Sequence, residues 1–176
     1  GTRKPMPQEL REQVPVIQEV LAAMDIEIVT KEGYEADDIL GTLGRKCEAE
    51  GMEVTIVSGD RDLLQLATDH ILIRIPKTVK RVTTIENYHT AEVLEKYSLL
   101  PKQIIDLKAL MGDSSDNIPG VAGVGPKTAT QLLVQYGTLD GVYNAKYYTA
   151  GRRITVGGQD GYLFAASPMT ALASYM

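Results

Sequence analysis

The order of elements in this sequence predicts an α/β fold, a parallel sheet with flanking helices followed by a helical subdomain built around a hairpin between two helices. Three observations carry that prediction. β-Branched apolar runs at 26–30, 54–57 and 71–75 are separated by segments of helical periodicity or short turns. Beyond Glu86 the periodicity is helical, and between two of those later helices lies a stretch punctuated by Gly112, Gly120, Gly123 and Gly125.

Residues 7–25 place Leu10, Val14, Ile17, Leu21 and Met24 in one stripe, with Pro7 suited to the first turn of a helix. Ile26 to Thr30 alternates and predicts a short strand, which Gly33 ends. A helix is expected from about Glu35 to Glu50, with Ile39, Leu40, Leu43 and Cys47 on one side and Gly51 as its stop signal. Val54-Thr55-Ile56-Val57 predicts a strand buried on both faces of a parallel sheet, bounded by Ser58-Gly59. A short turn at 63–66 leads to a third strand, 71–75. Helices are expected at 90–97, 102–111 and 126–136, the last two opening near Pro101 and Pro126. The chain thus divides into a core at 1–85, a helical region at 86–145, and an atypical tail at 146–176 to which no structure is assigned. That tail holds one acid, Asp160, but four of the nine tyrosines and Phe164; its glycines suit a hairpin or a disordered extension.

Composition narrows the function classes. With 44% hydrophobic and 23% charged residues in 176, the chain has the make-up of a globular protein able to bury its own core. No apolar run approaches the roughly 20 residues a membrane helix needs. A lone cysteine, Cys47, excludes an internal disulfide or a cysteine-rich zinc site, and with no visible signal peptide this points to the cytoplasm. His70 and His89 are isolated in sequence from it. The net charge of −5 by itself opposes a nucleic-acid partner, so the location of the acids becomes the question.

They concentrate at three element ends. Glu35, Asp37 and Asp38 lie at the start of the second helix, where they complement its dipole; being mutually repulsive, they gain more from a shared cation. Asp60 and Asp62 follow the most apolar strand, at the strand end where open parallel sheets bind ligands, or else form a solvated turn. Asp113 and Asp116 lie in Gly112-Asp113-Ser114-Ser115-Asp116-Asn117, which lacks the spacing of a calcium loop and is also a plausible capping loop. Seven candidate ligands, all carboxylates, favour Mg²⁺ or Mn²⁺ over zinc, and a pair of such ions clamps the attacking and leaving oxygens of a phosphodiester.

The segment Gly120 to Thr128 is no P-loop, because Pro126 separates Gly125 from Lys127-Thr128. It fits a helix-hairpin-helix, a sequence-independent grip on the DNA backbone. Gly123 and Gly125 allow close approach to a phosphate, the N-terminus of the following helix favours an anion, and Lys127 adds charge. The competing reading is a plain glycine-rich turn between helices.

Gly33 to Leu40, Gly59 to Leu66 and Met111 to Val121 resemble, in order and spacing, the 5′-3′ exonuclease domain family of bacterial DNA polymerase I, over about Gly1 to Ala145. The resemblance implies a PIN-like fold and a two-metal nuclease that removes 5′ flaps and RNA primers from flapped or nicked DNA, with a polymerase on the same parent chain. It assigns Glu35, Asp37, Asp38, Asp60, Asp62, Asp113 and Asp116 to the metal site, with Asp37, Asp60 and Asp62 catalytic. It assigns Gly120, Val121, Gly123, Val124, Gly125, Lys127 and Thr128 to downstream duplex DNA, with K⁺ on the hairpin carbonyls. Arg3 matches an arginine at the end of a helical arch, while the family's first strand, two further aspartates and most of the arch precede the point matching Gly1. The alternative function is a non-catalytic DNA-binding module that uses the hairpin alone. Setting the seven ligands aside leaves 16 acids against 18 bases, so the acidic excess belongs to one site.

Overall fold

A computed structural model describes residues 5–148, 152–156 and 159–163, with side chains placed through residue 145. The chain forms two compact units, Gly1–Thr42 and Leu43–Met176. The expectations for Arg3 and for the tail beyond 163 lie outside the described residues.

The first unit holds helix α1, Gln8–Ala23, with Pro7 at its N-cap and Pro15 inside it. Its predicted stripe forms, yet Leu10, Val14, Ile17 and Met24 remain 40–63% exposed. The expected strand at 26–30 is absent: the segment has no regular secondary structure and joins no ladder among the described residues. Alternation of apolar side chains is necessary for a strand, but only a hydrogen-bonding neighbour makes one. Helix α2, Ala36–Ala49, begins in this unit and ends in the next.

The second unit is built on a three-stranded sheet of order β1-β2-β3, with β1 Val54–Val57, β2 Ile71–Val79 and β3 Val82–Tyr88. β1 pairs parallel to β2, as the sequence predicts, through a connection that carries a 3₁₀ turn at Asp62–Leu66. β1 is buried on one face only, not both: Ile56 is buried while Thr55 and Val57 are exposed. Gly44 of α2 is the point of close approach to that buried face, where a Cβ would lie 3.3 Å from Ile56 Cδ1. Leu43, predicted on that side, is instead exposed.

β3 runs antiparallel to β2, so the sheet is mixed and the change to helices comes after Tyr88. Val79 pairs with Val82 around Lys80 and Arg81, which hold φ of 49° and 67°. A two-residue turn of this kind needs φ > 0 at both positions and is normally signalled by Asn-Gly. Lys-Arg carries no such signal, which hid the hairpin in the sequence.

Helices α3, Thr90–Tyr97, α4, Gln103–Met111, and α5, Pro126–Tyr136, match their predicted spans closely. Helix α6, Leu139–Tyr148, was not anticipated, because Gly137 and Gly141 interrupt the pattern. It is held by tertiary bonds: Asp106 accepts the Leu139 N–H at 3.2 Å, and the Gln103 side-chain amide donates to the Gly137 carbonyl at 2.6 Å. Leu107, Leu110, Ala129, Leu133 and Val142 fill the space among α4, α5 and α6. In the tail, β4, Arg152–Val156, pairs antiparallel with β5, Gln159–Leu163. Among the described residues no helix is long and apolar enough to cross a membrane.

Leu110, fully buried, is expected to cost about 2–5 kcal/mol on replacement by Ala. Leu94→Ala, at a half-exposed position, is expected to cost under about 1 kcal/mol. Urea unfolding midpoints of the two variants check this ordering.

Candidate metal centre

The turn after β1 is wound by its own side chains. Ser58 Oγ accepts the Asp60 N–H at 3.1 Å, and Asp60 Oδ1 accepts the Asp62 N–H at 2.9 Å. These short-range bonds replace ladder bonds at the strand end and start the 3₁₀ turn at Asp62. Arg61, between the two acids, points to the other side, donating to Glu86 Oε2 at 2.9 Å and to the Tyr97 hydroxyl at 2.8 Å.

Glu86 is the hub of that anchor. The Tyr88 hydroxyl, Arg61 and Lys96 all donate to its Oε2, and Lys77 lies 3.6 Å from Oε1. The Tyr88 bond first, then those from Arg61 and Lys96, hold its carboxyl at about 2. The Lys96 ammonium also lies 4.9 Å from the centre of the Tyr88 ring.

The second acidic loop follows α4. Gly112, at φ 77°, turns the chain, and Asp113 and Ile118 exchange both backbone hydrogen bonds at 2.8 and 2.9 Å. Asp113 is buried; its Oδ1 accepts from the Ser115 N–H at 2.8 Å and from the Ser115 hydroxyl, and its Oδ2 accepts from Lys108. Lys108 first, then Ser115, drive its carboxyl far below the usual range.

Carboxylate oxygens of Asp62, Asp113 and Asp116 come within 4.8 Å of one another, from two loops about 50 residues apart in sequence. Three hard oxygen donors at this separation suit a divalent cation of the magnesium or manganese type. A cation already stands among them: Lys108 Nζ is 2.8 Å from Asp62 Oδ1 and also bonds Asp113. Burial pulls its ammonium down, but the bonds to Asp113 and Asp62 outweigh that and leave it above its ordinary value.

The remaining predicted ligands are placed differently. Asp60 is exposed and its Oδ1 is turned back on its own loop; it is not one of the clustered three. Glu35, Asp37 and Asp38 belong to the first unit, all exposed at the opening of α2, where Asp38 Oδ2 accepts the Glu35 N–H at 3.1 Å. Two residues of the site escaped sequence reading, Lys108 and Glu86. Lys108 reads as an ordinary charge on the polar side of α4, and only the fold reveals its position opposite the Asp62 turn.

The hairpin is a tight turn, with the Val124 N–H donating to the Val121 carbonyl at 3.0 Å and Gly123 at φ 77°. Val124 is buried and anchors it. Gly125 is the N-cap of α5, with Pro126 at its first position and no side chain capping the end. Lys127 is exposed there and Thr128 half-exposed. Gly120 has a second duty: a Cβ on it would lie 2.2 Å from the Met111 carbonyl carbon, and one on Gly112 would lie 2.4 Å from the Gly120 nitrogen. The hairpin and the Asp113 loop therefore touch backbone to backbone.

The profile for the 5′-3′ exonuclease N-terminal resolvase-like domain matches residues 1–98, and that for the 5′-3′ exonuclease C-terminal SAM fold matches residues 99–160. The chain belongs to the 5′-3′ exonuclease family. DNA polymerase I of Bacillus caldotenax is 54% identical to it over 142 residues, which are 81% of this chain and 16% of that protein. A T5 5′-exonuclease structure with bound zinc ions superposes with a TM-score of 0.65 at 26% identity, covering 82% of this exonuclease-family chain and 52% of that one. The flap endonuclease of bacteriophage T5, in a complex with DNA and metal ions, gives a TM-score of 0.63 at 26% identity, covering 81% and 52%. The chain thus spans 16% of the polymerase and about half of each nuclease. The mixed sheet and trailing helices are those of this nuclease fold.

Gly120→Ala is expected to destabilise by more than about 2 kcal/mol, and Gly125→Ala, with no atom within 4 Å of its added Cβ, by less than about 1 kcal/mol, measured by urea denaturation. Glu86, depressed from 4.5 to about 2, stabilises fully above about pH 4.5 and loses that contribution as the pH falls toward 2. The stability gap between wild type and Glu86→Gln is therefore widest near pH 6 and narrows between pH 4.5 and 2; a gap independent of pH contradicts the assignment.

Proposed function

We propose that this chain carries structure-specific 5′-3′ exonuclease and 5′-flap endonuclease chemistry, hydrolysing phosphodiesters of DNA and primer RNA in replication and repair. The observation that carries the reading is the convergence of Asp62, Asp113 and Asp116 at the end of β1, in a chain of the 5′-3′ exonuclease family. Divalent ions, Mg²⁺ or Mn²⁺, when bound, supply the positive charge that stabilises the attacking and leaving oxygens. Asp62, Asp113 and Asp116 hold an ion; Asp60, Glu35, Asp37 and Asp38 complete the proposed set for two.

Residues 1–85 form the nuclease core in this reading and 86–145 the DNA-binding region. The open amides at the start of α5, flanked by Lys127 and Thr128, take a backbone phosphate of the downstream duplex, and the Gly120–Gly125 carbonyls offer a K⁺ position. Flapped or nicked DNA is the substrate in this reading, a polymerase on the same parent chain the partner, and the cytoplasm the compartment. The DNA and metal ions in the T5 flap endonuclease complex support the nucleic-acid and metal parts of this reading.

A 5′-flap substrate with Mn²⁺ tests the reading. Asp62→Asn is expected to lower cleavage by about 100-fold or more with little change in duplex affinity. Lys127→Ala is expected to weaken duplex binding several-fold and to flatten its salt dependence. Duplex binding without cleavage under any metal condition would instead favour the DNA-binding module.

A further inference from the structure

We infer that Lys108 is a tethered counter-ion of the metal centre, holding Asp62 and Asp113 together before a divalent ion binds and competing with that ion for the two carboxylates. The inference rests on the metal reading above. Its observations are separate: one ammonium makes two ion pairs, to Asp62 Oδ1 at 2.8 Å and to Asp113 Oδ2, joining two of the three clustered carboxylates.

Three carboxylates gathered within 4.8 Å repel one another, and Asp113 is buried with them. A loop with that charge and no cation would open. Asp113 is fixed from three directions, by Lys108 and by the amide and hydroxyl of Ser115, whereas Asp62 has a side-chain partner only in Lys108 among the contacts described. Lys108 is therefore what carries the position of Asp62 across to Asp113.

A divalent ion and the ammonium draw on the same two carboxylate groups, those of Asp62 and Asp113. An ammonium held on both carboxylates weakens their attraction for the ion and repels it directly, so Lys108 lowers the affinity of the site unless it swings away. Room for the displaced side chain exists beside it, in a cavity of 340 Å³ whose walls include Gln65, Ile104, Ile105, Ala109 and Ile118. Gln65 offers a polar contact there, and the apolar walls accommodate the methylene stem. Lys108 thus acts as a positioning residue that trades metal affinity for an ordered site in the metal-free protein.

The test uses the full chain and Mn²⁺ alone, with binding followed by calorimetry and melting measured with and without the ion. Lys108→Met, similar in length but uncharged, is expected to bind Mn²⁺ roughly tenfold tighter, to melt lower than wild type without metal, and to gain more from Mn²⁺. Lys108→Arg, which keeps a cation, is expected to bind Mn²⁺ with wild-type affinity. If Lys108→Met does not fold, Lys108→Gln carries the same expectation of tighter binding. Equal Mn²⁺ affinity across wild type and the uncharged variants overturns the role of Lys108 and leaves the metal reading standing. Absence of Mn²⁺ binding in every form overturns both.

Discussion

The crossing of two glycine backbones at Gly112 and Gly120 is the constraint on which the rest of the functional region depends. With hypothetical Cβ atoms only 2.2–2.9 Å from neighbouring backbone, neither residue tolerates a side chain, and the chain on each side of the crossing is committed to a separate task. Before it, Gly112 turns Asp113 inward to be paired with Ile118. After it, the Val121 N–H donates to the Leu110 carbonyl at 2.8 Å and the hairpin turns into α5. One contact thereby fixes the spacing between a carboxylate loop and a helix N-terminus suited to phosphate. The proposed function needs that spacing to be rigid, because in it a bound ion and the hairpin engage the same nucleic acid.

A second constraint is electrostatic. Gathering carboxylates is unfavourable until something positive stands among them, and this fold supplies its own cation from α4. The Asp60-Arg61-Asp62 turn solves the related problem on its far side: its own arginine is held by Glu86 and Tyr97, so the acids and the base of one short segment face opposite ways. The −5 charge of the chain is consequently weak evidence against a DNA partner in the proposed reading, since three of its acids gather at one candidate cation site.

Much of this was legible in sequence, for identifiable reasons. Helices α1 to α5 announce themselves by 3.6-residue periodicity, and all but α3 also by glycine or proline near an end. Asp62, Asp113 and Asp116 were among seven carboxylates that the sequence shows concentrated at three element ends, but which of the seven share one place depends on the fold. What escaped depended on partners distant in sequence. The 26–30 segment alternates like a strand but finds no ladder. The β2–β3 hairpin turns on Lys80-Arg81, residues that do not advertise positive φ. Helix α6 is held by Gln103 and Asp106 from α4 more than by its own pattern, and Lys108 gains meaning only when α4 is laid against the turn after β1.

The central claim is that one cation site joins the turn after β1 to the loop after α4. Amide NMR during titration with substoichiometric Mn²⁺ tests it most directly, since the ion broadens nearby resonances. The account predicts early loss of the amide signals of Asp62, Asp113, Ser115 and Asp116, while those of Lys77 to Thr84 at the distal end of the β2–β3 hairpin stay sharp. Broadening confined to other acidic segments, with the Asp62 and Asp113 amides unaffected, would contradict it.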